Sequence, residues 1–142
     1  MKRLLFVTIV FAAAAMLHAA DPFTGTWKLN VAKSDKDAPK EVIFTEKGDQ
    51  MELVVIGADG KSGRSTAPLK GGVVKFVEGG RGRPGGLTVT MKVVDAMTRE
   101  QTNTFDGKVT GTVRFVLSKD GRSITVTGDF ESVKFVRVYD KQ

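Results

Sequence analysis

The sequence predicts an all-β fold, an antiparallel up-and-down β-barrel of about eight to ten strands. Three observations predict it. Apolar and polar residues alternate through most of the chain beyond residue 20, which marks half-buried antiparallel strands. Asp-Gly and Gly-containing pairs punctuate the runs, and such pairs supply the backbone angles of tight hairpins. No stretch beyond residue 20 keeps a 3.6-residue period for even three turns.

In chain order, the first element is not part of the barrel. Lys2 and Arg3 precede an uncharged apolar run from Leu4 to Leu17, and His18, Ala19 and Ala20 close it. A basic start, an apolar centre and a small-residue end form the pattern of a secretory signal peptide. The run is shorter than the roughly 20 residues that span a bilayer. Residues 1–20 are therefore read as a signal peptide, cut after Ala19 or Ala20, and 21–142 as a single exported domain, periplasmic or secreted. The rival reading is an uncleaved anchor. With no Cys in the chain, a lipid-anchored start is not supported.

Strands are expected near 24–30, 41–46, 50–57, 62–69, 73–77, 87–94, 97–105, 108–117, 123–130 and 133–140. The alternation is plainest in Leu87-Thr88-Val89-Thr90-Met91, in Val109 to Leu117 and in Ile124 to Phe130. Asp59-Gly60, Asp106-Gly107 and Asp120-Gly121 sit between strands as hairpin turns. Short links make sequence neighbours spatial neighbours. Closing such a meander into a barrel removes its exposed edges; an open sandwich is the alternative. Two links are longer. Ala32 to Lys40 is polar and allows one short helical turn. Glu78 to Gly86 reads EGGRGRPGG and is expected to be a mobile hairpin loop.

Composition excludes several functions. Without Lys2 and Arg3 the 22 basic residues become 20, against 16 acidic ones, a net charge of +4. That mild excess does not point to nucleic acid. The only His lies in the leader and Cys is absent. Serine- or cysteine-histidine catalysis, His-ligated zinc and a histidine pH switch are thereby excluded. No metal-ligand cluster, cofactor motif or catalytic constellation is present, so no enzyme is expected. Glu100, Asp129 and Glu131 are read as surface charges. Arg81-Gly82-Arg83-Pro84 matches the core of the AT-hook that enters the DNA minor groove, but it lacks basic flanks and aromatic interleaving. It is read as a solvated loop. The strands lack aromatic girdles and carry charged outer faces, so no membrane-spanning barrel is expected.

Gly25-Thr26-Trp27, inside Asp21 to Leu29, resembles the first strand of the calycins, which comprise the lipocalins and the fatty-acid-binding proteins. That resemblance implies a Gly that lets the chain bend and a Trp that closes one barrel end. A lone Trp here also wants burial with its N–H bonded. Val136 to Lys141 resembles the closing strand of the fatty-acid-binding proteins, where an R-x-Y pair holds a ligand carboxylate. Arg137 and Tyr139 stand two apart and share a face. The whole resembles secreted bacterial lipocalin-like proteins that open with GTWKLN-x-AKS, here Gly25 to Ser34, and end in VYDKQ, here Val138 to Gln142. One departure is clear: Ala32 to Lys40 is too short for the two helices that fatty-acid-binding proteins place there.

The candidate ligand-binding residues are Arg137, Tyr139, Arg99, Gln101 and Asn103. Val133, Phe135, Arg137 and Tyr139 share the more apolar face of the last strand, which is expected to point inward. Arg137 then has three possible partners: a ligand carboxylate, the Trp27 ring, or Glu100 if its strand turns that face inward. Along 97–105 both faces are polar. Either a wet or ligand-filled interior relieves the burial cost, roughly 1–3 kcal/mol per unpaired group, or the strand lies at an edge. The leading expectation is a monomeric binder of a small apolar or amphipathic molecule, such as a fatty acid. A solid scaffold that docks another exported protein is the alternative.

Overall fold

The computed structural model describes residues 19–79 and 85–142. The expected signal peptide up to His18, and Gly80 to Pro84 of the Gly-rich loop, lie outside the described residues. Among the described residues eleven antiparallel strands make one sheet. They are β1 (Gly25–Leu29), β2 (Glu41–Lys47), β3 (Gln50–Ile56), β4 (Ser62–Pro68), β5 (Gly72–Val73), β6 (Lys75–Glu78), β7 (Leu87–Asp95), β8 (Thr98–Phe105), β9 (Lys108–Leu117), β10 (Ser123–Phe130) and β11 (Lys134–Lys141). One 3-10 turn, Val31–Lys33, follows β1. No helix of the described residues is long and apolar enough to cross a membrane.

The spatial order is β5-β7-β8-β9-β10-β11-β1-β2-β3-β4-β6. Its two ends, β5 and β6, are separated in sequence by Val74 alone. β5 pairs with β7, Val74 N donates to Val89 O at 2.8 Å, and β6 pairs with β4. One short stretch of chain thus crosses from one end of the sheet to the other, and the barrel is nearly closed. This crossing is why the strand expected at 73–77 is two strands. The Asp-Gly turns also differ among themselves. Asp106 and Gly107 both have positive φ, 45° and 80°, as a two-residue hairpin of the primed type requires. At Asp59 and Asp120 only the following Gly is positive, and the Asp carboxylate instead accepts the N–H of Lys61 or Arg122.

The two ends of the chain form one seam. β1 lies between β11 and β2, with Trp27 opposite Lys141 and Leu29 opposite Tyr139. Asn30 Nδ2 donates to Asp140 Oδ2 at 2.8 Å. Ser34 Oγ accepts from Val138 N at 2.8 Å. The opening and closing segments read in the sequence therefore meet in space, and their polar side chains tie the seam.

Beneath this seam one end of the barrel is packed solid. Trp27 and Phe23 are fully buried, and Trp27 Nε1 donates to Phe23 O at 2.9 Å. Phe23, Phe44 and Phe115 meet edge to face, with centroids 5.8 and 6.3 Å apart, a favoured aromatic arrangement. Lys141 Nζ stands 5.1 Å from the Trp27 ring centroid. Gly25 has φ of 143°, a conformation side chains avoid, and a Cβ there would press on Lys141 Cε at 3.1 Å.

Candidate functional site

The opposite half of the barrel holds a lumen of about 290 Å³ that is open at its rim. Its walls are set by cross-strand pairing. On β11 Phe135, Arg137 and Tyr139 face inward; Tyr139 is 2% exposed and Phe135 and Arg137 are half-buried. Lys134, Val136, Val138 and Asp140 take the other face. Val42, Leu53, Val55, Val113, Phe115 and Val126 supply most of the apolar lining.

Two glycines shape the wall beside Arg137. Gly128 pairs with Phe135 and Gly111 with Phe130. A Cβ at either glycine would fall within the partner's ring, so each ring lies flat on bare backbone. The rings stack, 6.3 Å apart at 21°. The Arg137 guanidinium carbon lies 4.0 Å from the Phe135 centroid, close enough for a cation–π contact. Backbone, ring and guanidinium thus form layers that hold Arg137 at the lumen.

β8 supplies the polar part. Gln101 pairs with Val113 and Met91, and Asn103 with Gly111 and Val89. Those partners face inward, so Gln101 and Asn103 do too, and both line the lumen. Gln101 Nε2 donates to Asn103 Oδ1 at 2.9 Å. β8 lies between β7 and β9, which overturns the reading of 97–105 as an edge. Ser65 of β4, 8% exposed, adds a hydroxyl that the sequence did not single out.

Arg99, grouped with these residues in the sequence reading, is not a lumen residue. It sits one step further towards the closed end, 5% exposed, in an ion pair with Asp21. Its guanidinium carbon is 5.0 Å from the Phe23 centroid. A separate void of about 30 Å³, lined by Arg99, Gln101 and Ser65 among others, lies between.

Two of the three partners open to Arg137 fall away. Glu100 faces outward and approaches Arg114 at 3.6 Å. The cation over Trp27 is Lys141, which shares the inward face of the last strand and lies nearer the closed end. No carboxylate among the described residues is ion-paired with Arg137, and its Nε is buried without a hydrogen-bond partner. At the lumen rim Arg64 does have acidic partners, Glu78 at 2.8 Å and Glu52 at 3.8 Å. No group of His, Cys, Asp or Glu among the described residues could hold a metal ion.

Burial pushes the Tyr139 phenol pKa above its ordinary value, against a downward pull from the Arg137 charge. It is the only tyrosine in the chain, so phenolate absorbance reports it alone. The folded protein is expected to titrate above the ordinary value of about 10, and the unfolded chain near it. The folded state then keeps a proton that the unfolded chain releases. Stability is therefore whole below about pH 10 and declines above it. A folded-state midpoint at or below the unfolded one would contradict this placement.

No family model and no curated protein matches the chain. Solved structures do match. A variant of the fluorescent protein UnaG, with one asparagine replaced by alanine, is 20% identical, with a TM-score of 0.65 over 87% of this chain and 99% of its own. Wild-type UnaG is 20% identical, with a TM-score of 0.61 over 84% and 97%. A Schistosoma mansoni fatty acid binding protein, solved with arachidonic acid, is 19% identical, with a TM-score of 0.58 over 85% and 96%. At such identities the likeness is one of fold. What the chain shares with them is a nearly closed antiparallel barrel, here with a single 3-10 turn between β1 and β2.

Proposed function

We propose that the chain is an exported binding protein for a small amphipathic molecule with an acidic head, such as a fatty acid. Arg137 carries the reading. Its guanidinium stands at an apolar lumen with no acidic partner among the described residues, and its Nε is buried and unbonded. A half-buried cation without an acidic partner gives up part of its hydration uncompensated, and a ligand carboxylate offers it short charge-assisted bonds. The neutral Tyr139 hydroxyl lies two residues along the same face. Gln101, Asn103 and Ser65 offer hydrogen bonds elsewhere in the lumen, while Val113, Phe115 and Val126 suit a hydrocarbon tail.

At about 290 Å³ the lumen lies at the lower edge of ligand pockets. That size favours a short or medium-chain acid over a long one. Export rests on the Lys2-to-Ala20 pattern, and binding rather than catalysis rests on the absence of His and Cys beyond the leader. Titrating delipidated protein with a fluorescent fatty acid tests the proposal. One saturable site at micromolar concentration is expected, lost when Val126→Trp fills the lumen. No saturation would leave the scaffold reading. Trp27 is a poor reporter for this titration, because it lies at the closed end and does not line the lumen.

A further inference from the structure

We infer that removing the leader between Ala20 and Asp21 builds an ion pair that locks the closed end of the barrel: the new α-ammonium of Asp21 pairs with the Glu46 carboxylate. The inference rests on the leader reading and is independent of the ligand reading. Asp21 is the first of the described residues that the fold holds at every polar group. Its backbone N donates to Glu46 Oε2 at 3.0 Å. Its Oδ1 accepts from Phe23 N at 3.0 Å, and its carbonyl accepts from Thr24 N at 2.9 Å. Its Oδ2 is paired with the buried Arg99. Ala19 and Ala20, by contrast, are exposed, and their small side chains suit a leader cut.

Charge around this point favours a new cation. The groove that holds the segment is lined by Asp21, Glu46, Asp49 and Asp95, against Lys70 and Arg99. Arg99 is already taken by Asp21. While the bond to Ala20 remains, the Asp21 nitrogen offers Glu46 a single neutral N–H. Cleavage replaces it with an ammonium bearing three donors, and charge-assisted bonds are roughly twice as strong as neutral ones. A cut after Ala19 would leave the neutral amide at Asp21 and carry the ammonium one residue further along the exposed chain.

Two measurements test this. Among the described residues, every strand and every core residue lies within 21–142. Forms starting at Asp21 and at Ala19 are therefore both expected to fold, and a fusion whose protease leaves no added residue releases them. Near pH 6 the Asp21 form is expected to melt about 2–4 °C above the Ala19 form. An α-ammonium raised by a carboxylate contributes below its unfolded pKa, about 7.7–8.0, and the contribution is lost as pH rises through the folded pKa. The gap should therefore close by about pH 10. Glu46→Gln should abolish the gap and Asp49→Asn should keep it. N-terminal sequencing of the exported protein should read Asp21. Equal melting of the two forms near pH 6, a gap that survives Glu46→Gln, or another mature start would each overturn the inference.

Discussion

Asp21→Asn is expected to cost the fold about 3 kcal/mol or more, although the substitution changes almost no volume. The reason lies in what it strands. Arg99 is 5% exposed and Asp21 is its ion-pair partner. Removing one charge of a buried pair leaves the other uncompensated in a poorly solvating site, at a cost of about 3–5 kcal/mol. Asn keeps an oxygen for the Phe23 N–H, so the loss isolates the charge. Arg99→Met combined with Asp21→Asn should recover most of the stability, because the pair with both charges gone is close to neutral. Urea unfolding followed by Trp27 emission measures both variants at the closed end itself. A cost below about 1 kcal/mol would place this pair among the weak surface bridges.

Arg137→Gln is expected to move binding and stability in opposite directions. Loss of a buried charge pair across an interface costs about 2–5 kcal/mol, which weakens fatty-acid binding at least about 30-fold. The ligand-free protein, however, loses a cation that no carboxylate among the described residues balances. Its melting temperature should stay level or rise, apart from the modest cation–π contact with Phe135. If Arg137 served only to brace Phe135 against Gly128, stability would fall and binding would not change. Fluorescent-fatty-acid titration and thermal melting of the same preparation separate the two cases.

The strands were legible because one period governs them. Nine of the ten expected runs fall within a few residues of single observed strands, since alternation, Asp-Gly turns and short links all point to one topology. The split at Val74 was not legible. It depends on which neighbour each half of the segment bonds, and both halves carry the same valine-rich pattern. The inward face of β11 was legible from Phe135, Arg137 and Tyr139, because only one parity gathers the large apolar groups. Period 2 also places Lys141 on that face, a residue the sequence reading did not weigh against Arg137 as the cation over Trp27.

β8 shows the limit of pattern. Both of its faces are polar, so alternation alone did not orient it; pairing with Val113, Gly111 and Val89 did. Orientation did not by itself sort Arg99 from Gln101. All three polar residues face inward, but Arg99 lies beside the Phe23 ring, where the segment that supplies Asp21 packs. The partner of Arg99 is 78 residues away, and no local periodicity reports such a contact. Gly111 and Gly128 look like breaks in their strands, yet each makes room for a facing phenylalanine ring.

The most direct test of the central claim is calorimetric titration of the delipidated protein with a medium-chain fatty acid and, separately, with the alcohol of the same chain length. The two share a tail and differ in the group that meets Arg137. The account predicts one saturable site for the acid at micromolar concentration and binding of the alcohol at least about tenfold weaker. Equal affinity for acid and alcohol, or no saturable heat with either, would contradict it.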